Sequence, residues 1–154
     1  MEVTITQADL GNPDHTKAIL EITNAYALDL MGGGEPLTDY VKENLIEGMR
    51  NFANTRVFLA FDGDKAVGLA NCFIGFSTFY AKQLINVHDL AVIPGYRGKG
   101  IGKKLLETVA EYARDNAFCK VTLEVLPENP AKRLYERSGF KSYYQFMSKI
   151  IEQE

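Results

Sequence analysis

The sequence has few cysteines and no long apolar run. Its two cysteines, Cys72 and Cys119, lie far apart and neither belongs to a CxxC pair, which argues against a disulfide framework and a zinc site. We expect two buried, reduced thiols and no bound metal. No apolar stretch approaches the length of a membrane-spanning helix, and the opening MEVTITQADLG lacks the basic and apolar regions of a signal peptide. We therefore expect a cytoplasmic protein that does not bind a membrane.

Positive charge is not in excess either, with 17 Lys and Arg against 20 Asp and Glu and a formal net charge of −3. This balance argues against broad nucleic-acid binding and favours cationic or neutral partners. The chain also lacks linker-like stretches, low-complexity tracts and fixed-period repeats. Because its 154 residues are 46% apolar, it is large enough to bury a core. We expect residues 1–154 to form a single domain.

Hydrophobic periodicity and turn residues predict elements in the order β-α-α-β-β-β-α-β-α-β. Asn12-Pro13 is a helix start, Thr38 is a second N-cap, and Asp62-Gly63-Asp64 is a hairpin turn. The predicted strands are 3–6, 56–61, 65–76, 83–93, 120–126 and 141–151, and the predicted helices are 13–30, 38–52, 100–116 and 130–138. This order predicts a mixed α/β (α+β) sandwich with an antiparallel half and a crossover through the third helix.

A glycine-rich junction, IPGYRGKGIGKK, follows the fourth predicted strand and opens the third predicted helix. The first N–H groups of a helix have no intrahelical partner and the macrodipole adds positive charge, so the junction suits a phosphate or pyrophosphate. A purely structural glycine turn is the alternative. A dinucleotide-binding motif would need glycine at Lys103 or Leu105, and a P-loop would need Ser or Thr at Lys104 and glycine at Arg97.

Two motifs resemble those of the GNAT superfamily of N-acetyltransferases. The first is R-x-x-G-x-G from Arg97 to Gly102, preceded by the strand HDLAV. The second, ENPAKRLYERSGF at 128–140, is similar to the family pattern N-x-x-A-x-x-L-Y-x-x-x-G-F. The strong resemblance covers about residues 83–140. It implies a GNAT-like fold, with a central mixed, mostly antiparallel sheet flanked by about four helices, and an acetyl-CoA-dependent N-acetyltransferase activity.

The resemblance also implies where acetyl-CoA is held. The strand that ends in LAV splays from its neighbour, its exposed backbone bonds the pantetheine arm, and the amides of the following loop hold the pyrophosphate. The implied cofactor residues are Leu90, Ala91 and Val92 for the arm and Arg97, Gly98, Lys99, Gly100, Ile101, Gly102 and Lys103 for the pyrophosphate. Asn129 is a further candidate, one place later than the family's asparagine, which falls on Glu128 here.

Tyr135 occupies the position of the family's general acid. From the residues alone, Ala131, Leu134, Tyr135 and Ser138 form a helical stripe that is also typical of core packing. A phenol with a pKa of about 10 can protonate a departing thiolate with a conjugate pKa of about 8.5 in a modestly uphill step. The resemblance therefore favours Tyr135 as the general acid.

The attacking amine must lose a proton, because an amine with a pKa of about 10.4 is mostly charged near neutral pH. His88 and Asp89 are the leading candidates for the base. As neighbours on an extended strand they are expected to point to opposite faces. His88 lies where some relatives that act on polyamine-like substrates carry a glutamate, and Asp89 could orient a water or hold the strand end. Glu124 is a third candidate.

These residues predict direct transfer of the acetyl group to a primary amine of a small acceptor, such as a polyamine, an amino acid or an aminoglycoside-like compound. Protein N-terminal or lysine acetylation and a non-catalytic acyl-CoA sensor are the alternatives. The glycine triplet 32–34 is expected to be a lid or a plain loop, and Phe76, Phe79 and Tyr80 either line a pocket or fill the sheet face. Nearby Asp29, Glu35 and Asp39 suit a cationic acceptor. The resemblance further implies a homodimer formed through late strands such as 142–151.

Overall fold

A computed structural model describes residues 1–152 and contains one five-stranded sheet in the order β1-β2-β3-β4-β5. The first four strands pair antiparallel, and β5 pairs parallel with β4. The strands are β1 (Val3–Gln7), β2 (Thr55–Asp62), β3 (Lys65–Ser77), β4 (Lys82–Val92) and β5 (Val121–Leu123). The helices are α1 (Pro13–Leu28), α2 (Asp39–Asn51), α3 (Ile101–Asp115) and α4 (Lys132–Arg137), and a 3₁₀ turn (Leu30–Gly32) follows α1. The predicted mixed, mostly antiparallel sheet with four helices is confirmed.

The first two helices begin where their capping residues predict. The Asn12 side chain accepts hydrogen bonds from the backbone N–H groups of Asp14 and His15, and Thr38 accepts one from Val41. Each side chain replaces a partner that the first helical turn lacks. Asp62 ends β2 and Lys65 begins β3, as the predicted hairpin requires.

The core lies on both faces of the sheet. On one face, Ile19 and Ile22 of α1 pack with Leu59 and Leu69. On the other, α3 packs through a separate apolar set that includes Leu105, Val109, Phe58, Val87 and Tyr135. Burial of each large aliphatic side chain stabilises the fold by about 1.5–3 kcal/mol. The two layers therefore fix α1 and α3 on opposite sides of β4.

Two irregularities occur in the second half of β4, at and after Val87. Asn71 of β3 pairs with Asp89, whereas the next residue, Cys72, pairs with Val87, so His88 is the extra residue of a β-bulge. In addition, β5 pairs with β4 only between Ile85 and Val87. Within the described residues, β4 therefore continues to its end without a ladder partner on its β5 side.

The predicted strand at 141–151 is wrong. Residues 141–152 contain no helix or strand, and residues 141–151 are exposed. The large apolar residues of this segment come as adjacent pairs, Tyr143-Tyr144, Phe146-Met147 and Ile150-Ile151, rather than in alternation. Because successive side chains of a strand point to opposite faces, these pairs would place apolar residues on both faces of a strand rather than on one. The homodimer expected through it stays a prediction.

Three other elements are shorter in the structure than the sequence predicts. The strand expected at 120–126 is reduced to β5, and the helix expected at 130–138 is reduced to α4, with Gly139 at a positive φ of 94° just after it. The first helix ends at Leu28 rather than near Leu30. Across residues 1–152, none of the helices is both long enough and apolar enough to cross a bilayer.

Candidate active site

The glycine loop between β4 and α3 presents backbone N–H groups at a helix start. Gly98 and Gly100 have positive φ values of 75° and 83°, and a Cβ at either position would meet no atom within 4 Å. Gly100 is the N-cap of α3 and provides no side-chain cap, and the first intrahelical bond runs from Lys104 N to Gly100 O. The N–H groups before Lys104 are therefore placed to bind an anion that approaches over bare glycines.

The three cations of this loop have different surroundings. Arg97 donates from Nε to Val92 O at 2.8 Å, and its Nη2 lies 3.1 Å from Asp29 Oδ2. Lys99 Nζ lies 5.5 Å from the centre of the Tyr96 ring. Lys103, on the exposed side of α3, lies 3.9 Å from Glu107. Arg97 thus joins the loop to the end of α1, which the sequence did not predict.

The other residues expected to hold the cofactor fall into two groups. Leu90 and Val92 are half-buried and Ala91 is buried, all on the stretch of β4 that has no β5 partner. Ile101 is 3% exposed and belongs to the core, and a Cβ on Gly102 would lie 3.3 Å from Leu134 Cδ2. Glycine at 102 therefore lets α3 approach α4 closely. The arrangement fits the implied pantetheine and pyrophosphate contacts, which stay predictions.

Tyr135 lies on α4 and is 8% exposed, with its ring edge-on to Phe140 at 6.2 Å. Burial raises the pKa of Tyr135 to about 12, and the nearby Tyr26 adds to the rise. The phenol therefore carries its proton throughout the neutral range. Tyr135 also borders a groove of about 1290 Å³ between α3, β5, α4 and residues 138–146.

Asp89 lies in a polar cluster on the α1 side of the sheet. Asn71 Nδ2 donates to Asp89 Oδ2 at 3.0 Å and to Thr23 Oγ1 at 3.1 Å. Burial raises the pKa of Tyr26, and the negative charges of Asp89 and Asp29 raise it further. Asp89 therefore raises the pKa of Tyr26, and Tyr26 in turn raises the pKa of Tyr135.

Sequence reasoning missed Thr23, Tyr26 and Asn71 as site residues. The one available signal was Asn71, a polar residue inside the apolar run AVGLANCFI of β3. A buried asparagine in such a run needs hydrogen-bond partners from other elements. Those partners lie on α1 and β4, far away in sequence.

His88 and Asp89 do not point to opposite faces as predicted. The His88 ring lies 5.6 Å from Phe73 in an edge arrangement, and Asp89 bonds Asn71. Phe73 and Asn71 are two residues apart on β3 and so share a face. The bulge at His88 breaks the alternation and brings both side chains to the α1 side. His88 is exposed and Asp89 is half-buried.

The remaining candidates lie apart from this cluster. Glu124 is exposed just beyond the end of β5. Asn129 Oδ1 accepts a hydrogen bond from Ala131 N at 2.9 Å, so it shapes the turn before α4. Phe79 and Tyr80 are 93% and 63% exposed and border the groove beside Tyr135, so they do not fill the sheet face.

The glycine triplet forms a tight turn against α1 rather than an open loop. Gly34 N donates to Ala27 O at 3.0 Å and to Asp29 O at 2.9 Å. A Cβ on Gly32 would lie only 2.0 Å from Tyr26 O, so no larger residue fits there without a backbone shift. The triplet therefore closes the end of α1 beside Tyr26.

Cys72 lacks the surroundings of an activated nucleophile. Burial raises the pKa of the Cys72 thiol, and the charge of Asp89 raises it further, so Cys72 is a neutral thiol in the core. Cys119 is half-buried rather than buried as predicted. Within residues 1–152, no three His, Cys, Asp or Glu side chains are grouped so that they could hold a metal ion.

Comparison with known proteins identifies the family. The model of the acetyltransferase (GNAT) family matches residues 19–140. Streptothricin acetyltransferase of Streptomyces lavendulae is 40% identical over 91 residues, which are 57% of this chain and 46% of that protein. Thialysine N-epsilon-acetyltransferase of Bos taurus is 37% identical over 78 residues, 50% of this chain and 45% of that protein. The chain spans about half the length of the curated relatives it matches.

Solved structures of acetyltransferases share this fold. An aminoglycoside acetyltransferase from an uncultured soil metagenomic sample superposes with a TM-score of 0.79 at 19% identity, covering 99% of this chain and 97% of that one. This likeness shows a shared fold. The family match covers most of the chain, so the chain belongs to the acetyltransferase (GNAT) family, and the resemblance drawn from its two motifs is confirmed.

Proposed function

We propose that this protein is an N-acetyltransferase that moves the acetyl group of acetyl-CoA directly to a primary amine of a small molecule. The observation that carries the proposal is the placement of Asp89 on β4 and Tyr135 on α4, beside the stretch where β4 and β5 no longer pair. Tyr26 is coupled electrostatically to both side chains. A group that accepts a proton and a group that donates one thus lie close to the predicted cofactor strand.

The residues of the glycine loop fit the proposed cofactor. When bound, acetyl-CoA supplies the acetyl group as a thioester. Gly98 and Gly100 leave open space in which phosphate oxygens would fit, and the uncapped N–H groups at the start of α3 would donate to them. Leu90 and Val92 offer backbone groups on the side of β4 that β5 does not cover. These contacts would hold the thioester between Asp89 and Tyr135.

Tyr135 holds the proton needed by the departing sulfur. Its pKa of about 12 exceeds that of a thiol, about 8.5, so complete proton transfer is uphill by roughly 5 kcal/mol. This step is steeper than the sequence alone predicts, because burial disfavours a tyrosinate. We therefore assign Tyr135 Oη a hydrogen bond, which it would donate to the thioester sulfur when acetyl-CoA is bound, as its main contribution.

Asp89 is the preferred group for the acceptor side. Its half-buried carboxylate is oriented by Asn71, whereas His88 is exposed and packs against Phe73. A carboxylate attracts the acceptor's ammonium and takes its proton directly or through a water. The acidic residues Glu35 and Asp39 near the end of α1 also favour a cationic acceptor.

The names of related proteins support a small acceptor. Streptothricin, thialysine and aminoglycoside acetyltransferases are among the relatives and fold neighbours. Transfer to a protein N-terminus or lysine is the enzymatic alternative, and acyl-CoA binding without turnover is the non-enzymatic one. The cytoplasmic location expected from the sequence stays a prediction.

A panel of acceptors tests this proposal through release of the CoA thiol. The panel contains streptothricin, thialysine, sisomicin, spermidine, a peptide with a free N-terminus and a peptide with an internal lysine. We expect turnover of at least one small amine with a kcat/KM at least about tenfold above that of either peptide. Turnover of the peptides alone would replace the proposal with protein acetylation, and binding of acetyl-CoA without any turnover would replace it with a sensor.

A further inference from the structure

Asn71 is a buried polar residue whose side-chain hydrogen bonds run to α1 and β4, at the proposed acceptor site. It is 2% exposed on the central strand β3, between apolar neighbours. Its Nδ2 donates to Asp89 Oδ2 on β4 and to Thr23 Oγ1 on α1. Within residues 1–152, its Oδ1 is buried and has no hydrogen-bond partner.

The orientation of this amide follows from the chemistry of its partners. An ionised carboxylate only accepts hydrogen bonds, so the amide must present Nδ2 to Asp89, and Oδ1 faces away from it. A buried carbonyl oxygen without a donor destabilises the folded state. An apolar side chain at this position of the sheet would avoid that cost, so packing alone does not account for asparagine.

We propose that Asn71 is a positioning residue, which holds the Asp89 carboxylate on the α1 side of the bulge, where it meets the acceptor amine. The inference rests on the proposed function and extends it to a residue that does not touch the reacting atoms. Thr23 completes the arrangement, because its hydroxyl fixes the Asn71 amide against α1. Without Asn71, the Asp89 side chain is free to turn toward solvent.

The bulge explains why Asp89 needs such support. His88 is the extra residue in β4, so the backbone next to Asp89 lacks the regular ladder geometry. Regular alternation therefore does not fix the direction of the Asp89 side chain. The 3.0 Å bond from Asn71, directly opposite in the register, supplies a fixed direction.

Asn71→Leu tests the inference, because leucine has about the size of asparagine but lacks the Nδ2 group that donates to Asp89. We expect the KM for thialysine or streptothricin to rise at least about tenfold, while acetyl-CoA affinity stays within about twofold of wild type. We also expect the thermal midpoint to stay close to that of the wild type or to rise, since an unpaired buried oxygen is removed. If Asn71 had only a structural role, Asn71→Leu would lower the thermal midpoint and would not raise the KM of the amine relative to that of acetyl-CoA.

Asn71→Asp provides a second readout. Two carboxylates at this distance do not both ionise readily, so the acidic limb of kcat/KM for the amine should move up by about one pH unit or more. The other groups around Asp89 are Tyr26 of α1, Asp29 beyond it, Cys72 of β3 and His88 of β4, with Tyr135 of α4 acting on Tyr26. They are the same in both proteins, so the displacement reports the new carboxylate.

Asn86 is the matched control. It also lies on the sheet, is half-buried and donates from Nδ2 to Thr122 Oγ1 at 3.0 Å. Asn86→Leu and Asn86→Asp should leave the KM for the amine within about twofold of wild type and the acidic limb in place.

A binding measurement separates the inference from the proposed function. Calorimetric titration of the CoA-bound protein with thialysine and streptothricin should give amine affinities at least about tenfold weaker for Asn71→Leu than for wild type. If the wild type turns amines over and binds them as tightly as Asn71→Leu does, the inference is wrong and the proposed function stands. If the wild type releases no CoA with any small amine of the panel and binds neither thialysine nor streptothricin, both are wrong.

Discussion

Arg97 Nη2 lies 3.1 Å from Asp29 Oδ2, so the predicted cofactor loop is joined by an ion pair to the end of α1. Asp29 also accepts a hydrogen bond from Met31 N through Oδ1 and starts the turn that contains the glycine triplet. The two segments that the proposal assigns to cofactor and acceptor therefore share a contact. Through this contact, Asp29 is expected to influence the affinity of the loop for acetyl-CoA.

Asp29→Asn should tighten acetyl-CoA binding. In the wild type, Arg97 must divide its positive charge between Asp29 and a bound pyrophosphate, and an exposed ion pair contributes up to about 1 kcal/mol. Loss of the carboxylate should therefore lower the Kd of acetyl-CoA by up to about fivefold at low salt, with the gain reduced at high salt. Calorimetric titration measures this, and weaker binding by Asp29→Asn would contradict the predicted role of Arg97.

Gly100→Ala should weaken acetyl-CoA binding. The added Cβ meets no protein atom, but it occupies the space over the N–H groups at the start of α3. Gly63→Ala in the β2–β3 turn is the control, because Gly63 also has a positive φ and open space around it. Both variants should lose about 1 kcal/mol of stability from backbone strain. Only Gly100→Ala should raise the Kd of acetyl-CoA, by about tenfold or more, and equal Kd values for the two would contradict the loop's role.

Tyr135→Phe should lower kcat by about tenfold or more and leave the Kd of acetyl-CoA within about twofold of wild type. The hydrogen bond from the phenol would strengthen as charge develops on sulfur, so its loss affects the chemical step. Single-turnover measurement of CoA release separates that step from product release. An unchanged single-turnover rate would remove Tyr135 from the mechanism.

The same residue predicts a difference in alkaline stability. The pKa of Tyr135 is raised from about 10 in the unfolded chain to about 12 in the folded protein. Between these values the folded state binds more protons, so its contribution is full below about pH 10 and is lost as the pH rises through about 12. From about pH 9 to about pH 11 the wild type should lose about 1.4 kcal/mol more than Tyr135→Phe. Urea unfolding measures this difference, and parallel pH profiles would contradict the raised pKa.

Gly32→Ala should disturb the acceptor side of the proposed site. Its Cβ would lie 2.0 Å from Tyr26 O, so the end of α1 must move. Gly48→Ala in α2 is the control, since its Cβ meets nothing within 4 Å and alanine favours a helix. Gly32→Ala should raise the amine KM at least about fivefold and lower stability, whereas Gly48→Ala should be neutral or stabilising. An unaffected amine KM would show that the end of α1 lies away from the acceptor.

Local signals allowed much of the fold to be predicted. Asn12, Thr38 and Gly63 act within a few residues of their own backbone, so the helix starts and the hairpin could be located from the sequence. The position of the glycine loop was predictable for the same reason, and its binding of acetyl-CoA stays a prediction.

The relations between distant segments could not be predicted in this way. The bond from Asn71 to Asp89 depends on the register of β3 against β4, and the bulge at His88 reverses the face that simple alternation assigns. The ion pair from Arg97 to Asp29 depends on how α1 ends beside the loop. The segment 141–151 was misjudged because its apolar composition suggested a strand, although its apolar residues would fall on both faces of that strand rather than on one.

The most direct test of the account is amine-dependent release of CoA by the wild type, with the acetylated amine quantified by mass spectrometry in the same reaction. We predict one N-acetylated amine for each CoA released, and strong loss of both products in Asp89→Asn and Tyr135→Phe although both variants still bind acetyl-CoA. Wild-type protein that binds acetyl-CoA but releases no CoA in response to any primary amine would contradict the account.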